Sequence, residues 1–409
     1  MSSIQPIKKT GIYYGWWLVV ICFFIAAYVA GAVFFSFTAF VEPIVNEFSW
    51  SFTQISLAST VRGLEIGVFS LFIGFFVDRF GAKHLLLFGL VTTGIGILLF
   101  SRTQSLAWFF FSFVILSFGA GGCTSVVLTT IIAKWFNKNM GKALGVMVCG
   151  FGSGGLLVPG IVWLIERYQW RTTLVILATG LYCICIPLAF LIKNEPRLGD
   201  YIPDNELLED PQANEDSQIE ASENFKLAIR SSTFWLFNFA EAARMIMLSS
   251  VMMHIMPYLS SVGYSRTAAG FLAAATPVMS IIGRFSFGWL GDVINKRTVL
   301  LFSHCFMGLG VLSLSQMENH WFIIPYLICF PIGYGGSMPL RGLIIKHYFG
   351  TASIGKLLGI SMGVAAMGGL AGPVLAGWAY DTYQTYQYVW FVFIGLSIIS
   401  TTVITRLKK

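Results

Sequence analysis

Long apolar runs separated by short polar connections are the dominant pattern of this chain. Each run is about 20 residues long, the length that an α-helix needs to cross a hydrocarbon core of roughly 30 Å. Twelve such runs can be distinguished, and each predicts a transmembrane helix. The predicted spans are residues 15–39, 53–77, 84–101, 106–133, 142–165, 171–192, 233–259, 266–291, 298–316, 321–346, 354–379 and 385–405.

The chain also contains an internal repeat with an offset of 214 residues. The polar connection GFFVDRFGAKH at 74–84 has a partner, GWLGDVINKRT, at 288–298, so that Asp78 corresponds to Asp292. Further pairs in this register are Gly74 and Gly288, Lys83 and Arg297, Gly119 and Gly333, Gly121 and Gly335, Gly122 and Gly336, Gly141–Lys142 and Gly355–Lys356, Leu144–Gly145 and Leu358–Gly359, and Pro159 and Pro373. One unbroken register predicts an all-α membrane protein made of two pseudo-symmetric six-helix bundles.

Composition supports a membrane protein and excludes an ordinary soluble domain. Charged residues make up 11% of the chain and hydrophobic residues 56%, whereas soluble domains contain about 25% charged residues. The first apolar run is too long for a secretory signal and no small-residue cleavage site follows it, so we interpret it as the first spanning helix. The seven cysteines lie in apolar runs without disulfide or metal-ligand spacing, so we expect neither a metal site nor a cofactor.

Basic residues are distributed unevenly between the two sets of connections. Eighteen of the 26 lysines and arginines lie on one side, together with both termini, and four lie on the other. Because cytoplasmic loops are enriched in basic residues, both termini are predicted to be cytoplasmic in a multi-pass protein of the cell (inner) membrane. The net charge of +7 therefore reflects loops beside the lipid bilayer and does not require a nucleic-acid partner.

One long polar segment, residues 193–232, lies between the two halves. It holds ten of the nineteen acidic residues and few aromatic residues, which predicts a solvated, partly disordered cytoplasmic linker. The predicted domains are an N-terminal bundle at 1–192, this linker, and a C-terminal bundle at 233–409. A plain tether is the favoured interpretation of the linker, and a regulatory role stays open.

Several motifs resemble a known family of membrane transporters. The motif G-x-x-x-D-R-x-G at 74–81, with Lys83 after it and an altered copy after the eighth span, is similar to the signature of the major facilitator superfamily. Other stretches resemble its monocarboxylate-transporter branch and the bacterial relatives of that branch: YYGWW at Tyr13–Trp17, Arg62 with Glu65, HIMPYL at His254–Leu259, Gly283–Arg284 and the segment Tyr334–Gly350. The resemblance implies a secondary transporter that works by alternating access around a site near the membrane midplane.

The two corresponding polar connections are predicted to form latches between the halves. The resemblance places Asp78 against the N-terminus of the eleventh span, near Gly355–Gly359, and the repeat places Asp292 against the fifth span, near Gly141–Gly145. A carboxylate at a helix N-terminus meets unpaired N–H groups and the positive end of the helix dipole, which is worth roughly 0.3–1 kcal/mol. Each latch must break when the cytoplasmic side opens. The predicted gating residues are Asp78, Arg79, Asp292 and Arg297.

A charged residue inside a span is the clearest indication of function. Such a residue costs at least ~2.5–3.5 kcal/mol on insertion scales and is expected to have a functional partner. Arg284 has no acidic residue three or four positions away on its own helix, which suits it to bidentate binding of a substrate carboxylate. The resemblance implies the same role, because Arg284 lies in G-R-x-x-x-G where the family has its substrate anchor, although Ser280 replaces the aspartate that many members carry. The alternative is that Arg284 pairs with an acid on another helix.

Polar aromatic and amide side chains are candidates to complete the site. The hydroxyl groups of Tyr334 and Tyr28 can bond a carboxylate or an α-hydroxyl group, and Asn238 and Tyr258 are weaker candidates. For any one of them, ordinary packing is the more common explanation. One buried anchor predicts a substrate with one carboxylate, because no lysine lies in the middle of a span and the eleventh span has no charge from Gly359 to Pro373. Arg341 is expected to reach the cytoplasmic interface at the end of the tenth span and therefore ranks below Arg284.

Three residues are candidates to carry a coupled proton: Glu65, Glu241 and His254. Each glutamate has an arginine three residues away, Arg62 and Arg244 respectively, so that each pair can neutralise itself on one helix face. Titration of either glutamate during transport stays open. His254, near the outer end of the seventh span, either senses the external pH or is a simple polar lining residue.

The sequence therefore predicts a secondary transporter, not an enzyme, for a small monocarboxylate such as lactate or pyruvate. Proton symport is the expected coupling, because the chain has no G-x-x-x-x-G-K-[ST] loop, and anion exchange is second. Proton-coupled export of hydrophobic compounds is a further alternative, and a non-transporting membrane sensor is an alternative of another class. The expected partners are a small organic anion, a proton and the bilayer, and the expected state is a monomer.

Overall fold

The computed structural model describes residues 13–50, 69, 72–123, 125–194 and 225–407, and all regular structure in these ranges is helical. Short 3-10 or π turns join several of the helices. The α-helices are α1 Tyr14–Val29, α2 Phe37–Phe48, α3 72–80, α4 Ala82–Ser101, α5 Leu106–Gly121, α6 Ser125–Trp135, α7 Met140–Ser153, α8 Val158–Gly180, α9 Ile186–Leu191, α10 225–230, α11 Ser232–Ser261, α12 Arg266–Val293, α13 Lys296–Ser315, α14 Ile323–Phe349, α15 Ile354–Tyr383 and α16 Gln387–Thr405.

Ten helical segments within the described ranges are long and apolar enough to cross a membrane. One of them, Met140–Leu191, has 52 residues, and at 1.5 Å per residue it would extend about 78 Å, more than twice a hydrocarbon core. Gln169 has φ 65° and ψ 160° inside α8 and therefore breaks this segment into two spans. Most of the predicted second span, 53–77, lies outside the described residues, and α3 covers its end. The architecture is that of two six-helix bundles, as the repeat predicts.

The surface of the bundles is apolar where lipid would surround it. Large side chains such as Phe24, Trp163, Phe271 and Trp378 are more than half exposed, which is expected when the surrounding medium is hydrocarbon. Inside the bundles, α13 packs against α14 and α16, and α11 packs against α15. The polar interior described below is therefore enclosed by helices that present their apolar faces outward.

Two glycine crossings join the halves at one end of the molecule. A Cβ atom on Gly288 of α12 would lie only 2.5 Å from the carbonyl oxygen of Gly141 in α7, and a Cβ on Gly74 of α3 would meet the carbonyl of Gly355 in α15. Only glycine allows the helices to approach so closely. The two crossings correspond through the repeat, since Gly74 matches Gly288 and Gly141 matches Gly355. The sequence symmetry is thus a symmetry of contacts between the halves.

The two aspartates lie beside these crossings and cap the facing helices. Asp78 accepts hydrogen bonds from the backbone N–H groups of Gly355 and Lys356, at 3.2 and 3.0 Å, at the start of α15. Asp292 accepts hydrogen bonds from the N–H groups of residues 141–142, at 2.6 and 2.8 Å, at the start of α7. Each carboxylate therefore connects the two halves through a helix N-terminus.

The two arginines that accompany the aspartates make different contacts. The guanidinium of Arg79 lies 5.5 Å from the centre of the Phe80 ring. Arg297 donates to the carbonyl of Leu407 at 3.1 Å and to that of Thr405, so that it holds the end of α16 against α13. These contacts stay within one half, so that of the four predicted gating residues only the two aspartates are seen to contact the other half.

Candidate substrate site

Four charged side chains lie at similar depth inside the C-terminal half. Counted from the helix ends on the side of the aspartate contacts, and at 1.5 Å per residue, Glu241, Arg244, Arg284 and Arg341 lie about 12–18 Å along α11, α12 and α14. These helices are about 40–45 Å long and extend beyond a hydrocarbon core of roughly 30 Å, so the four residues lie within the spans and nearer the side of the aspartate contacts. All four residues are buried except for a small exposed fraction of Arg341.

Arg284 of α12 reaches across to the N-terminal half. Its Nη1 donates a hydrogen bond of 3.0 Å to the carbonyl oxygen of Val148 in α7. A Cβ atom on Gly152, one turn later in α7, would lie 2.5 Å from the same Nη1, so the guanidinium fits only because this position has no side chain.

The other edge of the Arg284 guanidinium is not satisfied. Its Nε has no hydrogen-bond partner in the protein, and since the residue is only 5% exposed, solvent does not replace that partner. No carboxylate of the described residues forms an ion pair with it. The hydroxyl of Tyr334, a buried residue of α14, lies against both Arg284 and Ser280, and the Cys149 thiol is also nearby. Arg284 therefore presents a charged edge to the contact between the halves.

Glu241 is held by two arginines rather than one. Arg244 donates to it from Nε and Nη2, at 3.2 and 2.9 Å, as its position one turn away predicts. Arg341 of α14 donates to the same carboxylate at 3.0 and 2.5 Å. The expectation that Arg341 reaches the membrane interface is therefore wrong, because a fully buried carboxylate attracts the arginine inward more strongly than distant solvent does.

Three of the predicted site residues lie away from Arg284 or bind elsewhere. Tyr28 donates to the carbonyl of Leu177 at 2.8 Å, inside the N-terminal half. Tyr258 donates to the carbonyl of Leu314 and packs edge-on against Trp390, toward the opposite end of α11. Asn238 donates from Nδ2 to a carbonyl one turn earlier in α11, and its Oδ1 has no partner.

The predicted proton carriers are also separated. His254 lies between α11, α15 and α16, with Nδ1 3.1 Å from the Tyr386 hydroxyl and Nε2 3.1 Å from the carbonyl oxygen of Pro373. Glu241 belongs to the arginine cluster described above. Glu65, like its neighbour Arg62, lies outside the described residues.

Sequence reasoning missed the contribution of the N-terminal half to this site. Val148, Cys149 and Gly152 face Arg284 although none of them carries a charge. The available signal is the glycine-rich stretch Gly150–Gly155, a composition that by itself indicates close packing of helices. A glycine opposite a buried arginine leaves space for the guanidinium as well as for a helix backbone.

Comparison with known proteins identifies the family. The model of the Major Facilitator Superfamily matches residues 17–265 and again residues 234–408. The chain belongs to the Major Facilitator Superfamily. The second match covers the C-terminal half, and the first runs from the N-terminal half to residue 265; a model that matches twice is consistent with two related halves and confirms the expected fold.

Similar superfamily members are named as transporters. Monocarboxylate transporter 12 of Rattus norvegicus is 26% identical over 77% of this chain and 69% of that protein. Monocarboxylate transporter 13 of Bos taurus is 24% identical over 91% of this chain and 84% of that protein. The uncharacterized MFS-type transporter YcxA of Bacillus subtilis is 24% identical and aligns over 94% of this chain and 93% of its own length.

Solved structures of the superfamily have the same fold. The fucose:proton symporter FucP of E. coli superposes with a TM-score of 0.75, covering 96% of this chain and 98% of that one at 14% identity. The human organic anion transporter MFSD10 superposes with a TM-score of 0.73, covering 95% of this chain and 99% of that one at 12% identity. At such identities the similarity concerns the fold alone.

Proposed function

We propose that this protein is a secondary transporter of a small organic carboxylate, with Arg284 as the substrate anchor. The observation that carries the proposal is a buried guanidinium with an unpaired Nε, located within the span α12 where this helix of one half meets α7 of the other. A carboxylate offers two oxygens to the edge of a guanidinium, and the bond is charge-assisted. A monocarboxylate such as lactate or pyruvate is the substrate class suggested by the similar monocarboxylate transporters.

The transport cycle follows from the two contacts between the halves. The bundles at 1–192 and 233–409, joined by the linker 193–232, rock about the central site. The side that carries Asp78 and Asp292 also carries most of the basic residues, so it is cytoplasmic, with both termini, in a cell (inner) membrane. With both aspartates on the facing helices, the described conformation is closed on that side.

Proton symport is the proposed coupling, with anion exchange as the second candidate. The position of Glu241 is the argument for the second candidate. Its carboxylate already forms ion pairs with two arginines, so Glu241 itself is a poor candidate for the proton carrier. Symport therefore requires another carrier, and Glu65 or His254 is proposed for it. Uptake into proteoliposomes separates the two modes. Symport is accelerated by an imposed pH gradient, whereas exchange requires an anion inside the vesicles and does not depend on the pH gradient.

The test of substrate binding compares two arginines. Uptake of labelled lactate and pyruvate is measured in proteoliposomes containing wild type, Arg284→Ala, Arg284→Lys or the control Arg102→Ala, which changes an exposed arginine between α4 and α5. Loss of a charged hydrogen bond of ~1.5–3 kcal/mol predicts binding about 10- to 150-fold weaker for Arg284→Ala. Arg284→Lys should retain part of the activity, since it keeps the charge without the planar fork.

Other outcomes favour the alternatives. Wild-type uptake of carboxylates that is unchanged by Arg284→Ala removes the anchor role. Proton-driven efflux of hydrophobic compounds that is equally unaffected favours an exporter. A folded wild type that shows no flux of any of these compounds favours a non-transporting sensor, whereas a transporter should retain its flux when most of the linker is deleted and the halves stay tethered.

A further inference from the structure

The described interior of the C-terminal half contains more positive than negative charge. Arg244, Arg284 and Arg341 lie with Glu241 at similar depth, and the four side chains together carry two surplus formal positive charges. By sequence, Arg62 and Glu65 of the second span add one charge of each sign and do not change this sum. A buried charge is costly unless it is paired. The surplus indicates that more than one negative charge is brought to the site.

The Arg244 side chain has the second unsatisfied guanidinium. Its Nε and Nη2 are used by Glu241, while its Nη1 has no hydrogen-bond partner, although the residue is only 1% exposed. Glu241 cannot satisfy this nitrogen as well, because Arg341 donates to the same carboxylate from the other side. The pair that was expected to neutralise itself is thus a cluster of three residues with one positive charge left over.

Tyr334 of α14 is a buried neighbour of both unsatisfied arginines. Its hydroxyl contacts Arg284, and it also interacts electrostatically with Arg244. The Nε of Arg284 and the Nη1 of Arg244 are buried donors, and both lack a partner. Two unpaired guanidinium donors that share a tyrosine neighbour suit a ligand with an acceptor at each end.

We propose that the physiological substrate is a short dicarboxylate, with one carboxylate on Arg284, the other on Nη1 of Arg244, and the Tyr334 hydroxyl between them. This inference rests on the proposed function and specifies its substrate class. A monocarboxylate on Arg284 would leave Arg244 Nη1 unpaired and one positive charge uncompensated. A dianion satisfies both donors and neutralises the two surplus charges, since Arg341 remains bound to Glu241.

The experiment measures binding to the purified full-length protein in detergent, by thermal shift and isothermal titration, at a pH where both carboxylates are ionised. Malonate is compared with propionate, and succinate with butyrate, because the members of each pair have the same number of carbons. At least one diacid is expected to bind about tenfold or more tightly than its matched monoacid. Equal affinities within both pairs would overturn the proposal, and this comparison needs only the wild-type protein.

Two variants identify the residue responsible. Arg244→Gln should abolish the preference for the diacid while the monoacid affinity changes less than about twofold, and Arg244→Lys should restore part of the preference. If Arg244→Gln lowers the affinity for the diacid and for the monoacid equally, Arg244 is not a second binding point for the diacid. Sodium chloride alone is tested as well. If it raises the melting temperature as much as the diacid does, and if this effect requires Arg244, then Arg244 binds an inorganic anion and the proposal is overturned. If neither acid of either pair binds, the proposed carboxylate function itself fails.

Discussion

Replacing Asp292 by asparagine should release the cytoplasmic side of the transporter. The asparagine keeps the shape of the side chain but removes the charge that faces the N-terminus of α7. Asp292 accepts two backbone N–H groups at 2.6 and 2.8 Å, whereas the Asp78 contacts are longer, at 3.2 and 3.0 Å. A charge at a helix N-terminus contributes up to ~2 kcal/mol when partly buried, which changes the ratio of closed to open forms by up to about 30-fold.

The opening can be followed through the thiol of Cys149. This residue is largely buried in α7, with its Sγ 3.7 Å from the carbonyl oxygen of Ile281 in α12, so that separation of these helices exposes it. A membrane-impermeant thiol reagent is applied to inside-out vesicles, and the signal from Cys149→Ala vesicles is subtracted. We expect faster labelling in Asp292→Asn and a smaller increase in Asp78→Asn. Asp381→Asn, which changes an exposed aspartate at the opposite end of α15, is the control.

Two results would refute this reasoning. Unchanged labelling of both aspartate variants from the cytoplasmic side would mean that the caps do not hold the halves closed. An equal increase in the Asp381→Asn control would mean that the reagent detects a general loosening of the bundle. Faster labelling from the external side only would reverse the assigned orientation.

Two further predictions concern packing and pH. Gly152→Ala should weaken carboxylate binding about tenfold or more, because its Cβ would displace the guanidinium of Arg284. The control Gly155→Ala has open space around the new Cβ and should bind the carboxylate as the wild type does. Isothermal titration measures the affinity of both variants. The pKa of Glu47 is lowered, since hydrogen bonds from Arg171 and Trp170 outweigh the effect of partial desolvation. The free energy of unfolding should therefore fall by less than about 1 kcal/mol as the pH drops below about 4.5, because protonation of Glu47 breaks its pair with Arg171. Thermal denaturation of the wild type and of Glu47→Gln at several pH values measures this, and the variant should lack this part of the decrease. A stability difference between the two proteins that does not change with pH would contradict the assignment.

The sequence was sufficient for those features that depend on spacing along the chain. The offset between Gly74 and Gly288 shows that the two connections correspond, so that once the resemblance gives the partner of one, the repeat gives the partner of the other. Apolar length likewise located the spans, since the bilayer imposes it. Even the break at Gln169 follows from length, because 52 helical residues are too many for one crossing.

Contacts between distant helices could not be deduced in this way. Arg341 lies a hundred positions from Glu241, and nothing in the local pattern shows that α14 turns this side chain toward α11. Tyr28 and Tyr258 were chosen for their hydroxyl groups, but each hydroxyl donates to a carbonyl elsewhere. Residue type identifies groups that are able to bind a ligand, whereas their orientation is set by tertiary packing.

The most direct test of the substrate anchor is a distance between the ligand and the arginine. Solid-state NMR of the reconstituted protein, with ¹³C at the carboxylate of pyruvate and ¹⁵N in the arginine guanidinium groups, reports their dipolar coupling. We predict a coupling that corresponds to direct hydrogen bonding and that disappears in Arg284→Lys while pyruvate remains bound at saturating concentration. A coupling that persists unchanged in Arg284→Lys, or that is absent from the wild type with pyruvate bound, would contradict the assignment of Arg284 as the anchor.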